Sequence, residues 1–308
     1  MSAPSIATVR DRRSIRRQGV DVPGLVFAGA LLLALLFSLA VLAVLIGTQL
    51  ARGMPVLAER GLDVLTSDLS SNPANAGVAQ GIIGTVVLVV IVAVAAFPIG
   101  IMTAIFIEEY SSGNRLARFI DINIRNLAGV PSVVYGIMGL TVFVTLFSAL
   151  GVGTGKIALS GGLTLAVLVL PLVIITSAEA LRAVPDALRE GGFGLGASRW
   201  QVVQNLILPA AAPGILTGTV LALSRAIGET APLILVGAVL GSFSTGGGLA
   251  DLLTGPYTAL PMIVFDWARK PQQEFQALTS AAIIVLLAVT VLTNAAAIIL
   301  RNRFDRKW

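Results

Sequence analysis

Six long apolar segments constrain this chain more than any other feature of its sequence. A helix of about 20 apolar residues is long enough to cross the hydrocarbon core of a bilayer. Only 12% of the 308 residues are charged, against about 25% in soluble domains. The sequence therefore predicts an all-α membrane protein with six transmembrane helices. The predicted spans are 24–46, 78–107, 127–150, 157–177, 210–240 and 278–300.

The first apolar segment has an alternative explanation as a secretory signal peptide. The apolar region of a signal peptide is only about 7–15 residues long, and the run from Gly24 to Ile46 is longer. We therefore expect a retained, accessory membrane helix. The resulting domain boundaries are a basic segment at 1–23, the accessory helix at 24–47, an exposed extracytoplasmic loop at 48–77, a five-helix domain at 78–303 and a tail at 304–308.

The distribution of Lys and Arg predicts how the chain is oriented. Six spans put both termini on one side, and fifteen of the 21 basic residues lie on that side, against five on the other. The positive-inside rule then places both termini and the loop at 178–209 in the cytoplasm. Topology and anionic membrane lipid account for the net charge of +5, so no nucleic-acid partner is expected.

Cys and His are both absent, which removes thiolate and imidazole chemistry. We expect no enzymatic activity, no cofactor and no metal site. The sequence GVGTGK at 151–156 resembles part of a phosphate-binding loop, but Leu150 and Ile157 stand where that motif requires Gly and Ser or Thr. The segment is predicted to be a glycine turn, and any use of ATP is assigned to another chain.

The loop at 178–209 predicts two short helices. Pro185 suits a first helical position, with a helix extending to about Glu190. Ser198 and Gln201 have the spacing of a capping box that starts the second helix. Between them, four glycines are expected to break the first helix and form a hinge, at 191, 192, 194 and 196. An ordinary connecting loop is the alternative.

From Glu190 onward, this loop is similar to the EAA loop of bacterial ABC-importer permeases. It has a glutamate, two small residues, a glycine six positions after the glutamate, and the ending Leu-Ile-Leu-Pro at 206–209. Glycine replaces alanine at the two small positions. The resemblance implies an ABC importer type I permease fold and a coupling helix that docks on a cytoplasmic ATPase. The implied contact residues are Glu190, Gly191, Gly192, Gly196, Trp200 and Pro209.

Further segments resemble the A-type permeases of phosphate-specific transporters (PstA), including SRAIGETAPL at 224–233 and NLAGVPSVVYGIMGL at 126–140. C-type permeases share the arginine–glutamate element, but ALPMIVFDWA at 259–268 favours the A type. The similarity covers about 78–303. It implies inorganic phosphate as cargo, a homologous C-type permease, two ATP-binding subunits and an extracytoplasmic phosphate-binding protein. Ile175 departs from the family, where an arginine is usual.

Arg225 and Glu229 lie within the fifth predicted span. An arginine at the centre of a membrane helix costs about 2.5–3.5 kcal/mol on insertion scales, and such residues usually serve function. Our hypothesis is that Arg225 lines the pathway and binds phosphate through its paired donors, with Glu229 and Thr230 beside it. The alternative is a salt bridge to a neighbouring subunit. In the same span, the spacing of Gly214 and Gly218 is typical of close helix packing.

One alternative cargo and two other functional classes stay open from the residues alone. The cargo could be another oxyanion. A secondary transporter could also use an intramembrane Arg–Glu pair, although such proteins typically show inverted repeats. A structural or sensory membrane protein could use the loop as a regulatory dock.

Overall fold

The computed structural model describes residues 22–111, 114–238 and 248–304. These residues form helices and no strand, and six helices are long and apolar enough to cross a membrane, which confirms the predicted fold class. Most of the basic segment, residues 1–21, the last two residues of the predicted fifth span, 239–240, and the tail at 305–308 lie outside the described residues.

The helices, in chain order, are α1 (Val22–Arg60), α2 (Asp63–Thr66), α3 (Ala79–Ile105), α4 (Arg115–Ala128), α5 (Ser132–Gly139), α6 (Thr145–Ala149), α7 (Ala158–Arg182), α8 (Asp186–Gly194), α9 (Arg199–Val202), α10 (Leu208–Gly228), α11 (Ala231–Val236), α12 (Leu249–Thr254), α13 (Leu260–Ala268) and α14 (Gln273–Phe304). Wider π turns extend three of them, at Phe106–Tyr110 after α3, Leu140–Val144 after α5 and Val203–Ile207 after α9.

The expected exposed loop at 48–77 is a wrong prediction. The chain divides into two compact units at Thr48, but helix α1 runs on to Arg60. Gly53 lies so close to α14 that a Cβ there would come within 2.7 Å of the Ala281 nitrogen. Val64 is also fully buried, in a cluster that contains Trp267. This segment is therefore partly helical and packed against the rest of the second unit, although its composition is polar.

Helices α3 and α7 form the centre of the second unit. Glycines bring them together: a Cβ on Gly100 would lie 2.6 Å from Val173 Cγ1, and one on Gly162 would lie 2.5 Å from Ile91 Cγ2. Helix α10 packs on α7 in the same way, with Gly214 against Ala180 and Gly218 against Thr176. The close packing predicted for the two glycines of α10 is confirmed.

The third span begins later than predicted. The charged segment before it forms a separate helix, α4, and Pro131 is extended at the start of α5. A residue that precedes proline is disfavoured in the α conformation, so α4 cannot continue through this point. The span covers Ser132–Ala149. The glycine turn that follows is confirmed, with positive φ at positions 151, 153 and 155.

The fifth span is not one continuous helix, which corrects the prediction of 210–240. Helix α10 ends at Gly228, Glu229 is extended with ψ of 117°, and α11 begins at Ala231. Pro232 explains the break, because it has no N–H to donate to the carbonyl group four residues earlier. Toward the other end, the helical run continues without interruption through α9, the π turn and α10.

The connection between the fifth and sixth predicted spans contains packed residues in its described part, 248–277. Tyr257 and Thr258 are buried, and the hydroxyl oxygen of Thr85 accepts a hydrogen bond of 2.9 Å from the Leu260 amide. This close approach depends on Gly84, where a Cβ would overlap the carbonyl oxygen of Thr258. The segment therefore enters a groove on α3, and α14 starts at Gln273.

Candidate functional site: the EAA-like loop and the Arg225 break

The first helix of the EAA-like loop, α8, starts at Asp186, one residue later than predicted, with Pro185 directly before it. It continues past Glu190 and through the next glycines to Gly194, so the prediction that they break the helix is wrong. Only Gly196 among them has a positive φ, +80°. A backbone in that region favours glycine, and the sharp turn lies there.

The second helix of the loop starts with the predicted capping box. The Ser198 hydroxyl accepts a bond of 3.4 Å from the Gln201 amide, and the Gln201 side chain accepts one of 2.8 Å from the Ser198 amide. Val202, the last residue of this helix, and Val203, the first of the following π turn, are both buried. The box therefore fixes the direction in which the chain enters α10.

The EAA-like loop exposes several large apolar side chains, although many of its residues are polar or glycine. Glu190 is exposed on α8, as is Pro209 further along. Large apolar side chains accompany them: Leu188 is 39% exposed, Phe193 47%, Leu195 90% and Trp200 55%. Exposed apolar patches of this kind mark protein interaction sites.

Gly191 and Gly192 differ sharply in their surroundings. No atom lies within 4 Å of a Cβ built on Gly191, whereas one on Gly192 would lie 2.8 Å from Val202 Cγ2 and 3.0 Å from Leu206 Cδ1. Gly192 thus sets the contact between α8 and the second helix of the loop.

We expect Gly191→Ala to leave stability unchanged or raise it by up to about 1 kcal/mol, because alanine is the better helix former. Gly192→Ala is expected to lower stability by about 1–3 kcal/mol through overpacking against the buried Val202. The thermal midpoints of the two purified variants in detergent check this. The reverse order would show that α8 does not pack as described.

Two glutamates just beyond α3 hold the arginines of the loop, a feature that sequence analysis missed. Arg182 donates to both carboxylate oxygens of Glu108, at 2.8 and 2.6 Å. Arg189 donates to Glu109 at 2.9 Å, and this bond raises the pKa of Arg189 despite the opposing effect of its burial. In sequence analysis both arginines counted only toward topology. The available signal was an acidic pair placed directly after an apolar span.

Arg225 and Glu229 are brought together as predicted, although Glu229 lies beyond the end of α10. Arg225 Nε is 3.4 Å from Glu229 Oε1, and the side chains are 41% and 19% exposed. Thr230 is half-buried between the two helices. Arg225 therefore has an ion-pair partner and an open face.

Neighbouring helices hold the broken segment in place. Pro232 lies against α5, where a Cβ on Gly136 would come within 2.7 Å of the Pro232 Cα. The Ser224 hydroxyl is 2.8 Å from Asn294 Oδ1 on α14. Ile175, at the position where an arginine is usual, packs against an apolar cluster nearer the EAA-like loop.

The interruption between α10 and α11 at Glu229 and Thr230, together with Arg225, is here called the Arg225 break. This break and the EAA-like loop lie at opposite ends of the same helical run. Arg225 is 16 residues beyond Pro209, or about 24 Å along a helix. The structure thus separates the two predicted groups of site residues but joins them through α10.

Comparison with known proteins identifies the family. The model of the binding-protein-dependent transport system inner membrane component matches residues 96–308. The phosphate transport system permease protein PstA 1 of Mycobacterium tuberculosis H37Rv is 36% identical over 225 residues, which cover 72% of this chain and 69% of that protein. The PstA protein of Yersinia pestis is 36% identical, with 72% of both chains covered. The resemblance found in the motifs is confirmed.

Solved ABC importers share the fold. A bacterial alginate ABC transporter chain superposes with a TM-score of 0.60 at 18% identity, covering 87% of this chain and 92% of that one. A chain of the MetNI methionine transporter gives 0.56 at 18% identity, covering 74% and 96%. The relatives are transport permeases rather than enzymes, and the six apolar helices indicate a multi-pass inner-membrane protein. The chain belongs to the family of binding-protein-dependent transport system inner membrane components.

Proposed function

We propose that this chain is the permease subunit of an ATP-driven phosphate importer and forms half of its translocation channel. The observation that carries the proposal is the 36% identity, over about 70% of both chains, to proteins named as phosphate transport permeases. A homologous C-type permease completes the channel. Two ATP-binding subunits drive transport, and an extracytoplasmic phosphate-binding protein delivers the ion.

The Arg225 break is our proposed phosphate contact in the pathway. A guanidinium presents paired donors that match phosphate oxygens and keeps its charge at all physiological pH values. Glu229 holds Arg225 when phosphate is absent and accepts a hydrogen bond from protonated phosphate, which sulfate cannot donate. The neighbouring Thr230 adds a hydroxyl group to the same half-buried segment.

The EAA-like loop is our proposed ATPase dock, with both termini on the same, cytoplasmic side of the membrane. Its exposed apolar side chains, with Leu195 at 90% exposure, suit a groove on a protein partner. Glu190, Gly191, Gly192, Gly196, Trp200 and Pro209 are the proposed coupling residues. ATPase closure would move this loop, and the continuous helix from Arg199 to Gly228 would carry the movement to Arg225.

Reconstitution tests the proposed function. The chain is assembled in liposomes with a C-type permease, the ATPase and a phosphate-binding protein, and ATP hydrolysis is measured with phosphate or sulfate. We expect stimulation by phosphate alone. Stimulation by sulfate alone would keep the ABC class and change the cargo, whereas uptake that persists without the ATPase would point to a secondary transporter.

Changing Glu190 to alanine tests the dock. We expect phosphate-stimulated hydrolysis to fall about tenfold, because truncating a residue that carries binding energy at an interface costs more than about 1 kcal/mol, and about 1.4 kcal/mol is tenfold in affinity. Glu274→Ala, which removes an exposed glutamate at the start of α14, is the matched control. Equal activity in the two variants would remove Glu190 from the dock.

A further inference from the structure

Three consecutive residues at the end of α3 each contact a different arginine of the segment from the end of α7 to α9. Glu108, Glu109 and Tyr110, here called the triplet, lie in the π turn that follows α3. Glu108 binds Arg182 at the end of α7, Glu109 binds Arg189 on α8, and Tyr110 lies under Arg199 at the start of α9. The loop is therefore attached to α3 at its beginning, middle and end.

The central contact, between Glu109 and Arg189, is the most enclosed. The Glu109 side chain is 8% exposed and the Arg189 side chain 19%. Arg189 also donates to the carbonyl oxygens of Leu181 at 2.8 Å and Val184 at 2.7 Å, where α7 ends. One guanidinium thus joins the ends of α3 and α7 to α8. Removing Glu109 would leave Arg189 paired with Asp186, which lies on α8 itself and is 86% exposed, and would break the connection to α3.

The two outer contacts are more open. The Arg182 side chain is 47% exposed and Glu108 is 13% exposed. The Arg199 Cζ atom lies 5.8 Å from the centre of the Tyr110 ring, within the range of a cation–π contact. They attach the loop at two further points, one on either side of the central contact along the chain.

The π turn makes this arrangement possible. The Ser111 amide donates to the Phe106 carbonyl at 3.0 Å, a bond that spans five residues. A π turn shifts the direction in which successive side chains leave the helix, and such turns are frequent at functional sites. Beneath it, Ile107 packs with Leu181 and Val203 in one apolar cluster.

Helix α3 leads from the triplet to the core that surrounds the Arg225 break. Its residues Leu88 and Val92 belong to the same buried cluster as Ala226 and Leu233, which lie on either side of the break. Two helices therefore connect the loop with the break: α10, which contains Arg225, and α3, which the triplet attaches.

We propose that the triplet makes α3 move together with the EAA-like loop. A movement of the loop caused by the ATPase would then be transmitted to the Arg225 break through two helices, α10 and α3. Glu109 and Arg189 are the main positioning residues. The inference rests on the proposed function, because it takes the loop to be the ATPase dock. Without the triplet, the loop would still bind the ATPase but would move without α3.

Glu109→Gln tests this in the reconstituted transporter. We expect the ATPase to copurify at the wild-type ratio and to hydrolyse ATP, while phosphate transported per ATP falls about tenfold. Asp186→Asn is the matched control: Asp186 contacts the same Arg189 at 3.0 Å, but it lies on α8 and is 86% exposed. Asp186→Asn should transport as the wild type does. Wild-type coupling in Glu109→Gln would overturn the inference.

A milder variant keeps the test open if Glu109→Gln does not assemble. Glu108→Gln leaves Arg182 in solvent contact, and we expect a smaller loss of phosphate per ATP without loss of the complex. If this variant assembles with unchanged coupling, the inference fails. Failure of the wild-type complex itself to couple phosphate to ATP would instead reject the proposed function.

The absence of cysteine from this chain allows a direct reconnection. The double variant Glu109→Cys/Arg189→Cys should lose coupling, and a reducible bifunctional thiol reagent joining the two sites should restore at least half of it. The parent chain treated with the same reagent is the control. Complete cross-linking without recovery of coupling would show that Glu109 and Arg189 do not act by attaching α3 to the loop.

Discussion

Arg225→Gln is expected to reduce phosphate uptake about 10- to 100-fold while the complex with the ATPase still assembles. A hydrogen bond to a charged group contributes about 1.5–3 kcal/mol, which corresponds to this range of affinities. Arg225 is 41% exposed and its distance to Glu229 is 3.4 Å, so the ion pair leaves the guanidinium accessible to an anion. The measurement is uptake of radiolabelled phosphate into liposomes.

The double variant Arg225→Gln/Glu229→Gln separates transport from a purely structural salt bridge. If the pair only stabilises the subunit, removing both charges should restore uptake, because no charge is left uncompensated. If Arg225 binds phosphate, the double variant should stay as inactive as the single one. Arg225→Lys keeps the charge without the paired donors and should retain intermediate uptake. Wild-type uptake in Arg225→Gln would remove this residue from the pathway.

Gly84→Ala is expected to lower stability by about 3 kcal/mol or more, because even a methyl group overpacks this contact. The Cβ would overlap the backbone oxygen of Thr258, and backbone cannot rotate away as a side chain can. The shift would also disturb the hydrogen bond between Thr85 and Leu260. The thermal midpoint and the yield of folded protein in detergent measure the effect.

Gly29→Ala is the matched control for this prediction. Gly29 also lies inside an apolar helix, but a Cβ there has no atom within 4 Å. Alanine should leave stability unchanged or raise it by up to about 1 kcal/mol. If both variants behave alike, the segment around Thr258 does not pack against α3.

The spans could be predicted from the sequence because a bilayer imposes one simple requirement, a sufficiently long apolar helix. The ends of those helices could not. Helix α1 ends at Arg60, thirteen residues beyond Gly47, the predicted end of the accessory helix, because Gly53 packs closely against α14. The sequence around Tyr257 and Thr258 is typical of a loop. These residues are buried because glycines of α3 and α7 leave room for them, and that contact cannot be read from the sequence.

In the candidate site, contacts between residues close in sequence could be predicted, whereas contacts between residues far apart in sequence could not. The capping box of Ser198 and the proximity of Arg225 and Glu229 were predictable, because both depend on spacings of three or four residues. The pairing of Glu109 with Arg189 joins residues 80 positions apart. Nothing in the local pattern specifies which arginine meets which glutamate, so only the packing of α3 against α7 reveals it.

The π turn after α3 restricts how this chain can change length during evolution. A π turn holds one residue more than an α-helical turn of the same height, so deleting a single residue from 106–110 could restore a regular α-helix. The helix would remain apolar and long enough to span the membrane. The side chains within the turn, however, would be redistributed over one residue fewer, and Glu109 would no longer face Arg189. Homologous chains should therefore tolerate insertions and deletions in the segment after Tyr110 but keep a constant number of residues between Gly100 and Glu109.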